Sequence, residues 1–247
     1  MIIDTHCHLD NFYHDSHPFT SVSTSPLIAM SVSPQSWLPL LQFQKQFDQV
    51  YASLGIHPWF VTKDSLSSLA LLRKLLSSEN VTCLGEIGLD FTPKYKTNSS
   101  LQIELLNAQL QLAADFGKPV SLHVVKAHNE VLKLLDEYSV CGVVHGLGSS
   151  TQIAKHYIDK GFKIGVNGIL LRANARRYHD LVRAIGLDNI VLETDFPNVC
   201  LPEEQVPDLC DIQLVAEKVA DLLALPAEHV ITQCNNNAQS TFKLNGI

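Results

Sequence analysis

Residues 2–8 read Ile2-Ile3-Asp4-Thr5-His6-Cys7-His8, an apolar run that leads into two potential metal ligands. Side chains alternate along a strand, so His6 and His8, two residues apart, point the same way and can meet one ion. The pattern repeats outward from this stretch. Glu86 follows the run 81–85, His123 follows 120–122, His145 follows 142–144, and Asp195 closes 190–194. Six such residues, spread over nearly the whole chain, call for a fold that gathers the ends of many strands. In a barrel of parallel strands the C-terminal ends converge on one face, and active sites form there. Imidazole and carboxylate together suit borderline or hard divalent cations. The chemistry this points to is metal-assisted hydrolysis.

The rhythm between these points agrees. Strand-like runs occupy 1–5, 26–32, 50–56, 82–86, 119–123, 142–145, 163–167 and 190–194. Helical patterns lie between most of them. The stretch 65–76 places Leu66, Leu69, Leu72 and Leu76 on one face, and 101–116 does the same with Leu105, Leu106, Leu110, Ala113 and Ala114. Further helices are expected over 127–137, 150–160, 174–185, 208–223 and 227–235. Gly117, Gly161 and Gly186 stand where helices would end before the next strand. Eight strands alternating with helices over about 250 residues make an α/β fold, a (β/α)8 TIM barrel. The alternative is a doubly wound open sheet, but no G-x-G-x-x-G opens the first helix. With no internal repeat, long linker or block of like charge, residues 1–247 are expected to form a single domain.

The chain is 46% hydrophobic, ample for a sizeable core. No run of about 18 apolar residues occurs, so no membrane span is expected. The N-terminus shows no basic segment followed by an apolar one, so no secretory signal is expected. The six cysteines are far apart with no C-x-x-C pair, and reduced thiols in a cytoplasmic protein are the simplest reading. A net charge of -7 argues against a broad electrostatic grip on nucleic acid. It leaves room for an anionic substrate, since bound divalent ions neutralise phosphate locally.

Each candidate also has a plainer reading. A lone Glu86 is an ordinary loop glutamate, and a lone His123 or His145 is more often a hydrogen-bonded core residue than a ligand. Their equivalent placement in successive βα units favours the site. A buried Asp195 needs a cation or donors. Glu193 is expected to point away from the neighbours of Asp195. His57, at the end of its own strand, could ligate, but is expected rather to contact substrate or a leaving group. His14, His17, His128, His156, His179 and His229 read as surface or helix residues, His128 lying nearest the rim. Arg172, Arg176 and Arg177, with Lys94 and Lys96, could form a local anion pocket; the alternative is a solvated basic helix start.

Taken together, D-T-H-C-H-L-D (4–10), G-I-H-P (55–58), G-E-I-G-L-D (85–90), His123, G-V-V-H-G (142–146) and L-E-T-D-F-P (192–197) resemble, in order, the motifs of TatD-type metal-dependent hydrolases. That family consists of TIM barrels of the amidohydrolase superfamily, generally described as deoxyribonucleases. The resemblance runs over residues 3 to 242. It implies two divalent ions, Zn, Mn or Mg. His6, His8, Glu86 and Asp195 would hold one, and Glu86, His123 and His145 the other, with Glu86 bridging. Asp195 would also orient or deprotonate the attacking water. The expected reaction is 3′–5′ exonuclease-type hydrolysis of single-stranded DNA, with His57, Lys126 and Arg172 contacting substrate. Two positions depart from the family pattern: Val125, followed by Lys126, replaces a frequent arginine, and the H-x-F-S-G of the sixth strand is here His145-Gly146-Leu147-Gly148-Ser149. The alternative activity is hydrolysis of a small ester, lactone or amide. Relatives of that kind often carry a carbamylated lysine where this chain has Glu86.

Overall fold

The computed structural model describes residues 1–9, 25–202 and 207–244; Asp10, His14 and His17 lie outside the described residues. Eight parallel strands pair in chain order: β1 Asp4–Cys7, β2 Leu27–Met30, β3 Val50–Leu54, β4 Cys83–Asp90, β5 Val120–Val125, β6 Gly142–Val144, β7 Phe162–Val166 and β8 Ile190–Leu192. The two edges meet. The Asp195 amide donates to the His6 carbonyl at 2.9 Å, and the Thr5 hydroxyl donates to the Leu192 carbonyl at 2.9 Å. Helices α1 Pro34–Gln44, α2 Leu69–Ser78, α3 Ser99–Asp115, α4 His128–Leu135, α5 Thr151–Asp159, α6 Arg176–Ile185, α7 Ile212–Leu223 and α8 Ala227–Phe242 follow the strands. This is the (β/α)8 TIM barrel.

Strand alternation divides the core in two. Leu27 and Ala29 of β2 join the large cluster shared with the helices, whereas Ile28 and Met30 join a smaller cluster with Cys83, Val143 and Val191. That second cluster is the barrel interior, and Phe242 and Leu244, at and just past the end of α8, complete it. The Asn237 side chain at the same end donates to the carbonyls of Leu187 and Ile190, tying α8 to the start of β8. Burial on both sides explains why the strands read as short continuous apolar runs.

Helix α1 has no counterpart among the expected helices. Pro34 opens it, which suits a residue with fixed φ and no amide hydrogen. Pro39 lies inside it and hides the pattern. Its anchor is Trp37, fully buried, whose indole nitrogen donates to the Gly55 carbonyl at 3.0 Å.

Strand β4 runs four residues past its expected end. Its pairing with β5 shifts register between Leu84 and Ile87, so Glu86 sits at an irregularity inside the strand and Asp90 ends it. Such bulges re-aim a side chain without ending the sheet. Beyond it Gly88, at φ 149°, lies so close to β5 that a Cβ would fall 1.9 Å from the His123 carbonyl oxygen. Gly88→Ala is therefore expected to cost about 3 kcal/mol or more and to lower Tm by roughly 6 °C or more. Gly117→Ala, where a Cβ meets nothing within 4 Å, should cost only about 1 kcal/mol despite its positive φ. Thermal unfolding of the two variants side by side checks this; equal shifts would refute it.

Candidate metal centre

Glu86 lies 2% exposed at the C-terminal end of the barrel, and its two oxygens face different partners. Oε2 is 3.4 Å from Nε2 of both His6 and His8. Oε1 is 3.0 Å from Nδ1 of His123, 3.4 Å from Nε2 of His57 and 3.6 Å from Nε2 of His145. Asp195 closes the first group, with Oδ1 3.5 Å from His8 and 3.9 Å from His6. All six residues read as ligands are thus gathered in one cluster, and His57 joins them.

The far sides of three of these rings are also engaged. His6 Nδ1 is 3.1 Å from the Ser121 hydroxyl, His145 Nδ1 is 3.1 Å from Glu193, and His123 Nε2 is 3.4 Å from Asp90. Partners of this kind fix which nitrogen of a histidine is left for a metal. His57 differs. Its Nδ1 accepts the Trp59 amide hydrogen at 3.1 Å. The neutral ring therefore carries its proton on Nε2, facing Glu86, and acts there as a donor rather than a ligand.

The residues fit a divalent cation. His6 Nε2 is buried without a hydrogen-bond partner, although it points at two carboxylates. Three groups bring their ligand atoms close enough to share an ion: His6, His8 and Glu86; His6, His145 and Glu193; and His57, Glu86 and His123, where His57 would ligate only if Nε2 gave up its proton. The mixture of imidazole nitrogen and carboxylate oxygen is that of zinc or manganese sites.

Glu193 corrects the expectation drawn from sequence. It points into the rim and is fully buried, with Oε1 accepting from the Gly146 amide at 2.8 Å and the Asn167 side chain at 3.1 Å as well as facing His145. Gly165 leaves the space for it, since a Cβ there would lie 2.0 Å from Oε2. Residues two apart share a face of an extended chain, so Glu193 and Asp195 belong on the same side. The same rule places Asp90 with Glu86. Asp4, two residues before His6, accepts from the amides of His6 and Thr194 and from the Thr194 hydroxyl, holding the two barrel edges in register.

Electrostatics follow from this packing. Burial alone would raise Glu86, but the imidazoles of His57, His6 and His145 and the hydrogen bond from His123 outweigh it and hold the carboxyl well below its usual range. Asp195 is held down to about 2, burial again being outweighed, here by His145 and the hydrogen bond from His8. Burial disfavours a charged His145, yet Glu193, Asp195 and Glu86 raise it to about 10. Burial pushes His57 down to about 4.

A cavity of about 640 Å³ opens over the cluster, lined by His8, His57, Glu86, His123, His145 and Asp195 together with Trp59, Phe60 and Asn198. Lys126 and Arg172 are exposed and do not line it. Arg177 donates to the Gly148 carbonyl at 3.0 Å, and Arg176 lies 4.0 Å from Asp180 on its own helix. Arg177 is thus tied to the loop after β6, while Arg176 stays almost fully exposed. His128 and His179 bond the Tyr157 hydroxyl and the Leu170 carbonyl, away from the cluster.

The profile of the family described as TatD related DNase matches residues 3–243. The metal-dependent hydrolase YjjV of Escherichia coli K12, described as uncharacterized, is 30% identical over 257 residues, covering 98% of each chain. A protein of Erwinia billingiae named 3′-5′ ssDNA/RNA exonuclease TatD is 29% identical over 205 residues, 78% of each chain. The crystal structure of YjjV superimposes with a TM-score of 0.86 over 98% of both chains at 28% identity.

An imidazole raised to about 10 is protonated at neutral pH, and a cation binding there displaces the proton. Titration with Zn or Mn at neutral pH is expected to release at least about one proton per chain. Calorimetry in two buffers of different ionisation enthalpy measures this; identical heats in both would refute it.

Proposed function

The chain belongs to the TatD-related DNase family, and from that premise we propose that it is a divalent-metal-dependent hydrolase that removes nucleotides from single-stranded nucleic acid. Its reaction in this reading is phosphodiester hydrolysis of the 3′–5′ deoxyribonuclease type, carried out by one catalytic domain spanning residues 1–247. The observation that carries the reading is the double-sided setting of Glu86, one oxygen facing His6 and His8 and the other facing His123 and His145. A carboxylate so placed can bridge two ions. His6, His8, Glu86 and Asp195 would hold one, and Glu86, His123 and His145 the second. Two divalent cations bound there supply Lewis acidity toward the phosphoryl oxygens and lower the pKa of water.

The chain's own residues do the rest. Asp195, kept ionised by its neighbours and anchored by the Asn198 amide at 3.1 Å, orients the attacking water and takes its proton. His57 offers its Nε2 hydrogen to an oxygen of the scissile phosphate or the leaving group. Asp90 and Glu193 hold His123 and His145 in aim. Lys126 and Arg172, outside the cavity, contact phosphates farther along the strand. No helix among the described residues is long and apolar enough to cross a membrane. Cys7, Cys83, Cys141 and Cys234 carry free thiols, which suits a cytoplasmic location.

One observation favours a second reading. Among the described residues, those lining the cavity include no lysine or arginine, as suits an uncharged small ester, lactone or amide. Release of mononucleotides from an end-labelled single strand decides between the two. The expected result is release with Zn or Mn, loss under a chelator and recovery on adding metal back. Absence of release under all conditions, with hydrolysis of small esters, would establish the second reading instead.

Two further outcomes are expected. Elemental analysis of saturated protein should give two ions per chain, and Glu86→Ala should lower occupancy of both. Asp195→Asn keeps the shape of the side chain but cannot take a proton. It should reduce turnover by about a hundredfold or more at saturating metal, with circular dichroism unchanged. A loss below about tenfold would reject the role of Asp195.

A further inference from the structure

Past the end of β3 the chain reads His57-Pro58-Trp59-Phe60, and the short turn Pro58–Phe60 carries two large aromatic side chains to the mouth of the cavity. Each is 48% exposed. The other tryptophan, Trp37, is fully buried. Leaving half of two such side chains in water forgoes a sizeable hydrophobic gain, and apolar surface beside a reaction centre marks a binding site.

Trp59 is held in place. Its indole nitrogen donates to Asp90 Oδ2 at 2.6 Å, and its ring stacks on Tyr95 with centroids 5.2 Å apart and planes 13° from parallel. It stands edge-on to His57 at 4.9 Å and to His123 at 5.7 Å. Phe60 stands edge-on to His57 at 6.2 Å. A fixed aromatic surface therefore lies one ring's width from the histidines that surround Glu86. In a chain of net charge -7, no lysine or arginine among the described residues lines this cavity to grip a polyanion. Something other than fixed positive side chains must position the strand.

We propose that Trp59 and Phe60 form a stacking platform for the base of the nucleotide next to the scissile phosphate, and that stacking is the main contact fixing the strand end in the cavity. This rests on the nuclease reading above. Every base has a π-face, so such a platform tolerates sequence while preferring the larger purines. The other occupants of an exposed aromatic pair, a protein partner or the apolar part of a small ester, would show no dependence on a base.

The test uses metal-loaded protein and two end-labelled single strands, one intact and one with an abasic residue in place of the terminal nucleotide. Wild type should favour the intact strand by about fivefold or more in kcat/KM, chiefly through KM. Phe60→Ala, which removes a ring that makes no hydrogen bond through its side chain, should bring that ratio toward one. A second readout needs no turnover. A nucleoside monophosphate should quench the fluorescence of Trp59, whereas deoxyribose 5-phosphate should not, and Trp59→Phe should abolish the quenching because the remaining Trp37 is buried. Equal cleavage of both strands by wild type, or an equal loss on both in Phe60→Ala, overturns the platform and leaves the nuclease reading standing. Cleavage of neither strand by wild type overturns both.

Discussion

A buried carboxylate with nothing opposite it would cost several kcal/mol, and Glu86 is such a group unless the imidazoles around it stay where they are. Five imidazoles arrive from four directions: His6 and His8 from β1, His57 from beyond β3, His123 from β5, and His145 from beyond β6. Only a fold that brings the same end of every strand to one place can do this, and a closed parallel barrel does so by construction. The irregularity in β4 is the local counterpart of that constraint. By shifting the register between Leu84 and Ile87 it sets Glu86 toward the axis while the strand continues to Asp90, the residue that backs His123.

Around this centre lies a further set of acids that meet no solvent. Asp4, Asp90 and Glu193 each hold a different part: the edges of the barrel through Thr194, the His123 ring and the His145 ring. Their charges are tolerated because backbone amides and side-chain donors meet them, as the Gly146 amide and Asn167 do for Glu193. Burial still raises Asp4 to about 7, because the donors from Thr194 and His6 offset only part of its desolvation. The site thus concentrates negative charge that imidazolium balances in the metal-free protein. Divalent cations would balance it more completely.

Much of this is written in the sequence because strands buried on both faces are continuous apolar runs, and whatever follows such a run lies on the rim. His6, His8, His123, His145 and Asp195 were legible for that reason. What escaped had a physical cause in each case. Pro39 interrupts the pattern of α1 although Pro34 and Trp37 suffice to start and anchor it. Strand β4 continues through Gly85 and Gly88 to Asp90, past its expected end, because Gly88 lets β4 and β5 approach. Glu193 was turned the wrong way although its two-residue spacing from Asp195 argues for a shared face. The exposure of Trp59 and Phe60 was not legible at all, because an aromatic pair after a strand reads equally well as core.

Charge and surface at the mouth bear on each other. On the nuclease reading proposed above, an acidic chain cannot rely on long-range attraction for a polyanion, and Lys126 and Arg172 stand exposed outside the cavity. Of the basic residues at the start of α6, Arg177 is engaged on the Gly148 carbonyl. Attraction is then local and conditional: cations held by the cluster act on phosphate only at short range, and aromatic surface acts only on a base already in contact. On that reading such a mouth would suit the end of a single strand, whose terminal base is free to unstack, better than a duplex that presents only its charged backbone. The same arrangement explains why Trp59 is hydrogen-bonded to Asp90. A platform this close to His123 must not move, since any shift of the indole would disturb the carboxylate that aims the ring.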